Sequence, residues 1–215
     1  MPKPRLLIAT RNQGKIREYQ RLLATVSYSL IGLDDAGLSF DVEETGQTFA
    51  DNAILKATTY ARASGLLTLA DDSGLAVDAL GGEPGVRSSR YAGPDAGDPE
   101  RIAFLLDKLA AVPPSERTAR FHCVIALAHP SGELITVDGI CEGIITQAAR
   151  GSGGFGYDPV FYLPDQGCTM AELSPEEKNL ISHRARAAHK VCALLPDLAS
   201  TSKTHQNGSA GHSRR

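Results

Sequence analysis

Two adjacent acids give the first hint of chemistry. The stretch Leu66-Leu-Thr-Leu-Ala-Asp-Asp-Ser-Gly74 starts apolar and ends in Asp71 and Asp72. Leu66, Leu67, Leu69 and Ala70 read as a strand buried on both faces. The acids then sit at its C-terminal end, with Ser73-Gly74 as the turn, and that end is where open α/β sheets bind ligands. Carboxylates about 4 Å apart repel unless a cation or a proton intervenes. The pair is therefore either a capping and turn feature or the acidic half of a site.

Cations that could complement such acids lie elsewhere. Arg5 to Thr10 reads as a short strand that passes through Arg11-Asn-Gln-Gly14 into a helix from Lys15 to about Leu23. A helix N-terminus offers free N–H groups and partial positive charge to a phosphate, and Thr10, Asn12 and Lys15 stand at that junction. The plain alternative is a solvated loop with an exposed lysine, since G-x-x-x-x-G-K-[ST] is absent. Lys56 lies at the edge of the apolar face of a second helix, one turn beyond Asn52, and either snorkels to water or reaches an anion. Glu43 and Glu44 are loop acids that matter only beside Asp71 or Asp72, where they would offer hard oxygen ligands to Mg2+.

Gly151-Ser-Gly-Gly-Phe-Gly156 matches G-x-G-x-x-G, but Tyr157 to Tyr162 reads as a strand and no helix follows, so the dinucleotide reading fails. What remains is a glycine loop presenting Phe155, with Asp158 close behind. That ring either stacks on a base or folds back onto the core. Ser174-Pro-Glu-Glu177 starts a helix with Ser at the cap, Pro at the first position and Glu at the third. The helix is expected to run to Leu195 and stop at Pro196. Leu180, Ile181, Ala185, Ala188, Val191, Cys192 and Leu195 form its apolar arc. Arg184 projects from the middle of that arc, Lys178 borders it, and His183 lies off it. A core-facing arginine needs a partner, which is either a structural carboxylate or a ligand phosphate.

The elements that must position these residues alternate between strand and helix. Ser27 to Leu33 reads as a second strand. Thr48 caps a helix from Phe49 to about Ser64, ended by Gly65. Gly74 to Gly97 is a long glycine-containing loop of the kind that is often functional. Asp98-Pro99 starts a helix to about Ala111. Arg120 to His129 and Leu134 to Ile145 are long strands joined by Pro130-Ser-Gly-Glu133 in an antiparallel hairpin, so the sheet is mixed. The chain has 215 residues, 42% hydrophobic, with formal net charge −3. That suits one domain and gives no basic footprint for nucleic acid. Cys123, Cys141, Cys168 and Cys192 are scattered and read as free thiols. No run approaches about 18 apolar residues, so the expectation is a cytoplasmic protein with no membrane segment. Residues 1–198 read as the folded domain and the polar stretch 199–215 as a disordered tail.

Together the motifs resemble one family. Thr10-x-Asn12-x-x-Lys15, Glu43-Glu-Thr-Gly-x-Thr-Phe49, Asn52-Ala-x-x-Lys56, Ala70-Asp-Asp-Ser-Gly-Leu75, Gly82-x-Pro-Gly85, Gly153-Gly-Phe-Gly-Tyr-Asp-Pro159 and Ser182-His-Arg184 resemble the inosine triphosphate pyrophosphatase family. These enzymes clear the noncanonical purine nucleotides ITP, dITP and XTP before they enter DNA or RNA. The resemblance covers about residues 5 to 196. It implies a long mixed sheet flanked by helices, two lobes with a cleft between them, and a homodimer. It implies cleavage between the α- and β-phosphates to the monophosphate and pyrophosphate.

By motif, the loop of Thr10, Arg11, Asn12, Gln13, Gly14 and Lys15 would bind substrate, with Lys56 also on phosphate. Glu44 and Asp72 would hold Mg2+, Asp72 would be the general base, and Ser73 would touch substrate. Phe155 would stack on the purine beside Gly156, Tyr157 and Asp158. Lys178, His183 and Arg184 would reach the base and sugar. Arg11 stands where small residues also occur in the family, and Cys168 stands at a place that is often basic. Two rival readings are a pyrophosphatase with another base preference and a nucleotide-binding module without turnover.

Overall fold

One long strand organises the molecule. The computed structural model describes residues 2–206. The sheet has seven strands in the order β2-β1-β3-β4-β5-β6-β7. They are β1 (Arg5–Ile8), β2 (Ser29–Ile31), β3 (Leu67–Val77), β4 (Thr118–Ala128), β5 (Leu134–Ile145), β6 (Phe161–Leu163) and β7 (Cys168–Thr169). β1 lies parallel between β2 and β3, and every later neighbour is antiparallel. The mixed sheet expected from the hairpin is therefore present.

The expected turn at Ser73-Gly74 is not. β3 continues through the acid pair, with Asp71 opposite Ile125, Asp72 opposite Val124 and Ser73 opposite Cys123. β4 supplies the ladder that keeps the strand going, whereas β1 stops pairing at Ile8 opposite Leu69. The acids thus lie just past the C-terminal end of β1, where the chain leaves for α1 (Gln13–Leu22).

Helices cover both faces. Side chains alternate along a strand, so Leu6 and Ile8 pack with Tyr19, Leu23 and Val191 on one side. Leu7 packs with Ala53, Ala57 and Tyr60 on the other. The first side is closed by α1 and by α5 (His183–Gln206), the second by α2 (Phe49–Ser64). Thr48 caps α2 as expected, accepting from Asp51 N at 3.1 Å, and Gly65 at φ 69° ends it. A third cluster, including Leu75, Leu105, Phe121 and Phe161, forms a second lobe under α3 (Asp98–Lys108).

Two expectations change near the C-terminus. Tyr157 to Tyr162 is not one strand, because Asp158–Val160 makes a 3-10 turn before β6. The single helix after Ser174 is two: α4 (Pro175–Ile181) ends at Ser182, whose ψ of 157° is extended, and α5 follows. The Ser182 hydroxyl accepts from Ala185 N at 3.2 Å, which caps the new helix. The break turns Leu180 outward at 71% exposure, off the expected apolar arc. Pro196 lies inside α5 rather than ending it, so residues 199–206 continue the helix, and 207–215 of the expected tail lie outside the described residues. No helix among the described residues is long and apolar enough to cross a membrane.

Candidate active site

A cavity of about 560 Å³ opens between the lobes. The expected residues converge on it: the Thr10 to Lys15 loop, Glu44, Lys56, Asp72, Ser73, the Phe155 to Asp158 loop, Lys178, His183 and Arg184.

At one end, alternation on β3 resolves the apparent clash of the acid pair. Asp71 faces α1 and α5; Asp72 faces α2. Lys15 Nζ lies 3.0 Å from Asp71 Oδ2, and Arg184 approaches the same oxygen at 3.4 Å. Burial raises the Asp71 carboxyl, but Lys15, Arg184 and Lys56 overcome it and hold Asp71 well below the usual carboxylate range. Asp72 shifts the other way, pushed up by burial against the opposing pull of Lys56. Neighbouring acids driven apart by their surroundings are the usual mark of divided acid–base roles.

Asp72 is held on both oxygens. Asn52 Nδ2 donates to Oδ2 at 3.0 Å and Ser73 N donates to Oδ1 at 3.0 Å. Lys56 Nζ lies 3.8 Å from Oδ1 and also hydrogen-bonds Glu44, which Arg90 approaches at 3.7 Å. Glu44 and Asp72 are therefore two hard oxygen donors gathered on one ammonium. Mg2+ is commonly held by one or two carboxylates and completed by substrate phosphates, and this donor set fits that pattern. Among the described residues no group of three or more His, Cys, Asp or Glu could hold a metal without such help.

The β1–α1 loop is less free than its letters suggest. Asn12 Oδ1 accepts from Lys15 N at 3.0 Å and so caps α1. Arg11 turns to the loop 34–41, donating to Asp34 at 2.6 Å, Asp41 at 2.9 Å and the Leu38 carbonyl at 2.7 Å. Arg11 and Asn12 Oδ1 are thus engaged within the protein, while Thr10, Gln13 and Lys15 line the cavity beside the N-terminus of α1.

At the other end, Phe155 lies across Gly14. A Cβ at Gly14 would sit 2.5 Å from the ring, so the absent side chain makes this approach possible. Lys178 Nζ lies 4.9 Å from the ring centroid, and the Arg184 guanidinium carbon 5.5 Å. The loop is pinned by Asp158, which accepts from Phe155 N at 2.9 Å, and by Asp98, which accepts from Gly156 N at 2.7 Å. Tyr157 is a packing residue whose hydroxyl donates to the Ser88 carbonyl at 2.9 Å. His183 stacks on Phe121 with ring centroids 4.7 Å apart, and its Nδ1 has no partner in the protein. Burial, reinforced by Arg184 and Lys178, pushes His183 well below the usual imidazole range, so it is neutral.

Arg184 has carboxylate partners after all. Its Nη1 donates to Glu18 at 2.5 Å, and its Nη2 donates to Ser73 Oγ at 2.8 Å. Lys178 lies 2.8 Å from Glu18 and 2.5 Å from Asp158. Glu18 carries no role in the sequence reading. Its signal was its place one turn after Lys15 on the same helix face.

Fold and site together define the class: a mixed-sheet α/β protein whose cleft gathers lysines and carboxylates at one end and an aromatic ring with buried donors at the other, as a nucleotide-phosphate site requires. The chain belongs to the Ham1 family, whose sequence model matches residues 6–194. It is 55% identical over 186 residues to a dITP/XTP pyrophosphatase of Geobacillus kaustophilus, covering 86% of this chain and 91% of that protein. It is 50% identical over 190 residues to a dITP/XTP pyrophosphatase of Bacillus licheniformis, covering 88% and 97%. The solved structure of a HAM1 protein from Coxiella burnetii superposes with a TM-score of 0.83 at 45% identity, over 90% of this chain and 99% of that one.

Proposed function

We propose that this protein hydrolyses the noncanonical purine nucleoside triphosphates ITP, dITP and XTP to the monophosphate and pyrophosphate. The observation that carries the reading is one cleft with two chemically distinct ends. An upward-shifted carboxylate, Asp72, stands among lysines at one end, and Phe155 with buried donors stands at the other. The names of the relatives point to the same activity.

Phosphoryl chemistry depends on positioning and charge neutralisation more than on covalent catalysis. Lys15, Lys56 and the N-terminus of α1 hold the phosphates. Mg2+, held by Glu44 and Asp72, would supply further charge neutralisation. Asp72 orients the attacking water and takes its proton. The bond that breaks is the anhydride between the α- and β-phosphorus, and pyrophosphate leaves. Phe155 stacks on the purine. Lys178 and Arg184 donate toward the 6-keto oxygen beside His183; adenine would set an amino donor against donors there, and such unpaired buried groups cost strongly. The proposed enzyme is a homodimer in the cytoplasm, with no nucleic-acid or membrane partner and a catalytic domain over 1–198, beyond which α5 continues to Gln206.

The test is pyrophosphate release from ITP, XTP, ATP and GTP at matched concentrations, with Mg2+ and with chelator. Fast Mg2+-dependent release from ITP and XTP, with ATP nearly inert, is expected, and GTP, which shares the 6-keto oxygen, reads any discrimination at the 2-position. Orthophosphate as the product would overturn the cleavage point. Preference for UTP or dTTP would favour the pyrophosphatase with another base preference, and no turnover would favour the binding module.

A further inference from the structure

We propose that Asn52 is a positioning residue that locks the acidic loop around Glu44 onto β3 and fixes the rotation of Asp72; this rests on Asp72 being the base. Asn52 stands in the first turns of α2 with no exposed surface. Asparagine is a weaker helix former than alanine, and a buried amide is costly unless its bonds are made. Here they are made to two different parts of the site. Nδ2 donates to Asp72 Oδ2 at 3.0 Å, and Oδ1 accepts from Gly46 N at 2.8 Å. The amide can face only this way, because reversing it would set its oxygen against a carboxylate and its NH2 against an N–H.

The consequences reach both proposed metal-binding acids. A carboxylate turns broadly about its last torsion, and the Asn52 bond selects the rotation that presents Oδ1 to Lys56 at 3.8 Å. Gly46 follows Glu44 by two residues, so the same amide also anchors the loop that carries Glu44. The loop reaches Asn52 only because position 46 has no side chain: a Cβ there would lie 2.6 Å from Asn52 Oδ1 and 3.0 Å from Asn52 N. Lys56, one helical turn further along α2, meets the Glu44 side chain. Consecutive turns of one helix thus hold the loop twice, by backbone and by side chain, and both touch Asp72.

The experiment is a double-mutant cycle on pyrophosphate release from ITP at saturating Mg2+, run with the wild type first. A wild type that releases no pyrophosphate overturns the functional reading itself. With an active wild type, Asn52→Ala is expected to lower kcat by about 100-fold while KM changes by less than about threefold, the pattern of misplaced chemistry rather than lost binding. Gly46→Ala is expected to lower kcat by about tenfold, and the double variant to lose no more than Asn52→Ala alone, because both break one link. ITP affinity by calorimetry in chelator should stay within about threefold of wild type in Asn52→Ala. If Asn52→Ala does not fold, the near-isosteric Asn52→Asp, which keeps the acceptor for Gly46 N but loses the donor to Asp72, is read outside the cycle, by the same expected fall in kcat with KM little changed. A kcat within about twofold of wild type, a loss confined to KM, or losses that multiply would each overturn the inference.

Discussion

Asp71 and Asp72 are the same residue type one position apart, and their surroundings shift them in opposite directions. Asp71 is neutralised by Lys15 and Arg184 and serves as an anchor for both. Asp72 retains basicity because burial raises it against the pull of Lys56. Asp72→Asn keeps the shape and removes the proposed base, so pyrophosphate release from ITP is expected to fall by at least about 100-fold, with KM little changed; a fully active variant would falsify the assignment. His183 gives a pH prediction. Its folded pKa is depressed by burial, with Arg184 and Lys178 adding to it. The unfolded chain therefore takes up the proton first. Stability is complete above about pH 6.5 and declines as pH falls below it, by up to about 1.4 kcal/mol per unit. Urea unfolding at pH 7 and pH 5 should show this slope flattened in His183→Gln. The partly buried His122, also lowered by burial, is present in both proteins and cancels. The chemistry-bearing residue types and their spacing were legible in the sequence. The opposite facing of the two acids was not, because it depends on β3 continuing past them.

That continuation belongs to the scale of elements. Gly74 and Ser73 look like a turn in the letters, yet β4 pairs with them directly. Gly74 serves close packing instead, since a Cβ there would meet the Gly85 carbonyl at 2.5 Å and Ser88 Oγ at 2.4 Å. The caps of α2 and α4 were readable because each is a local side-chain-to-backbone bond. The break at Ser182 was not, because the apolar arc runs through it without interruption. It nevertheless carries the site, since it sets His183 and Arg184 at the first turn of α5, facing the cleft. Gly14 tests how one element seats another. Gly14→Ala would drive a methyl into the Phe155 ring, although α1 itself should form as well or better. The expected result is a rise of about tenfold in KM for ITP, from a displaced stacking ring, with little loss of melting temperature. An unchanged KM would mean that Phe155 moves off Gly14 before substrate binds.

Across the whole molecule, the site is tied together by an alternating chain of charges: Lys15, Asp71, Arg184, Glu18, Lys178 and Asp158. It joins α1, β3, α5, α4 and the turn after the glycine loop, so it runs from the Lys15 end of the cleft to the Phe155 end. Three cations balance three anions, and Glu18 holds two of the cations. Such a network is worth little against a purely apolar core, but removing one member strands the others in low dielectric. Glu18→Gln leaves Arg184 and Lys178 short of an anion and is expected to cost about 3 kcal/mol at pH 7. For Glu18, burial alone would raise the pKa, but Arg184 and Lys178 outweigh it and lower the folded value. The group therefore contributes stability above its unfolded pKa of about 4.3 and loses it as pH falls through the folded one. Urea denaturation of the two proteins should show a gap that is full at pH 7 and narrows below about pH 4. A gap that persists unchanged into acid would assign the loss to packing around the α1–α5 contact. A gap absent at pH 7 would mean that the cleft's water, rather than Glu18, compensates the two cations, and that the two ends of the site are not electrostatically joined.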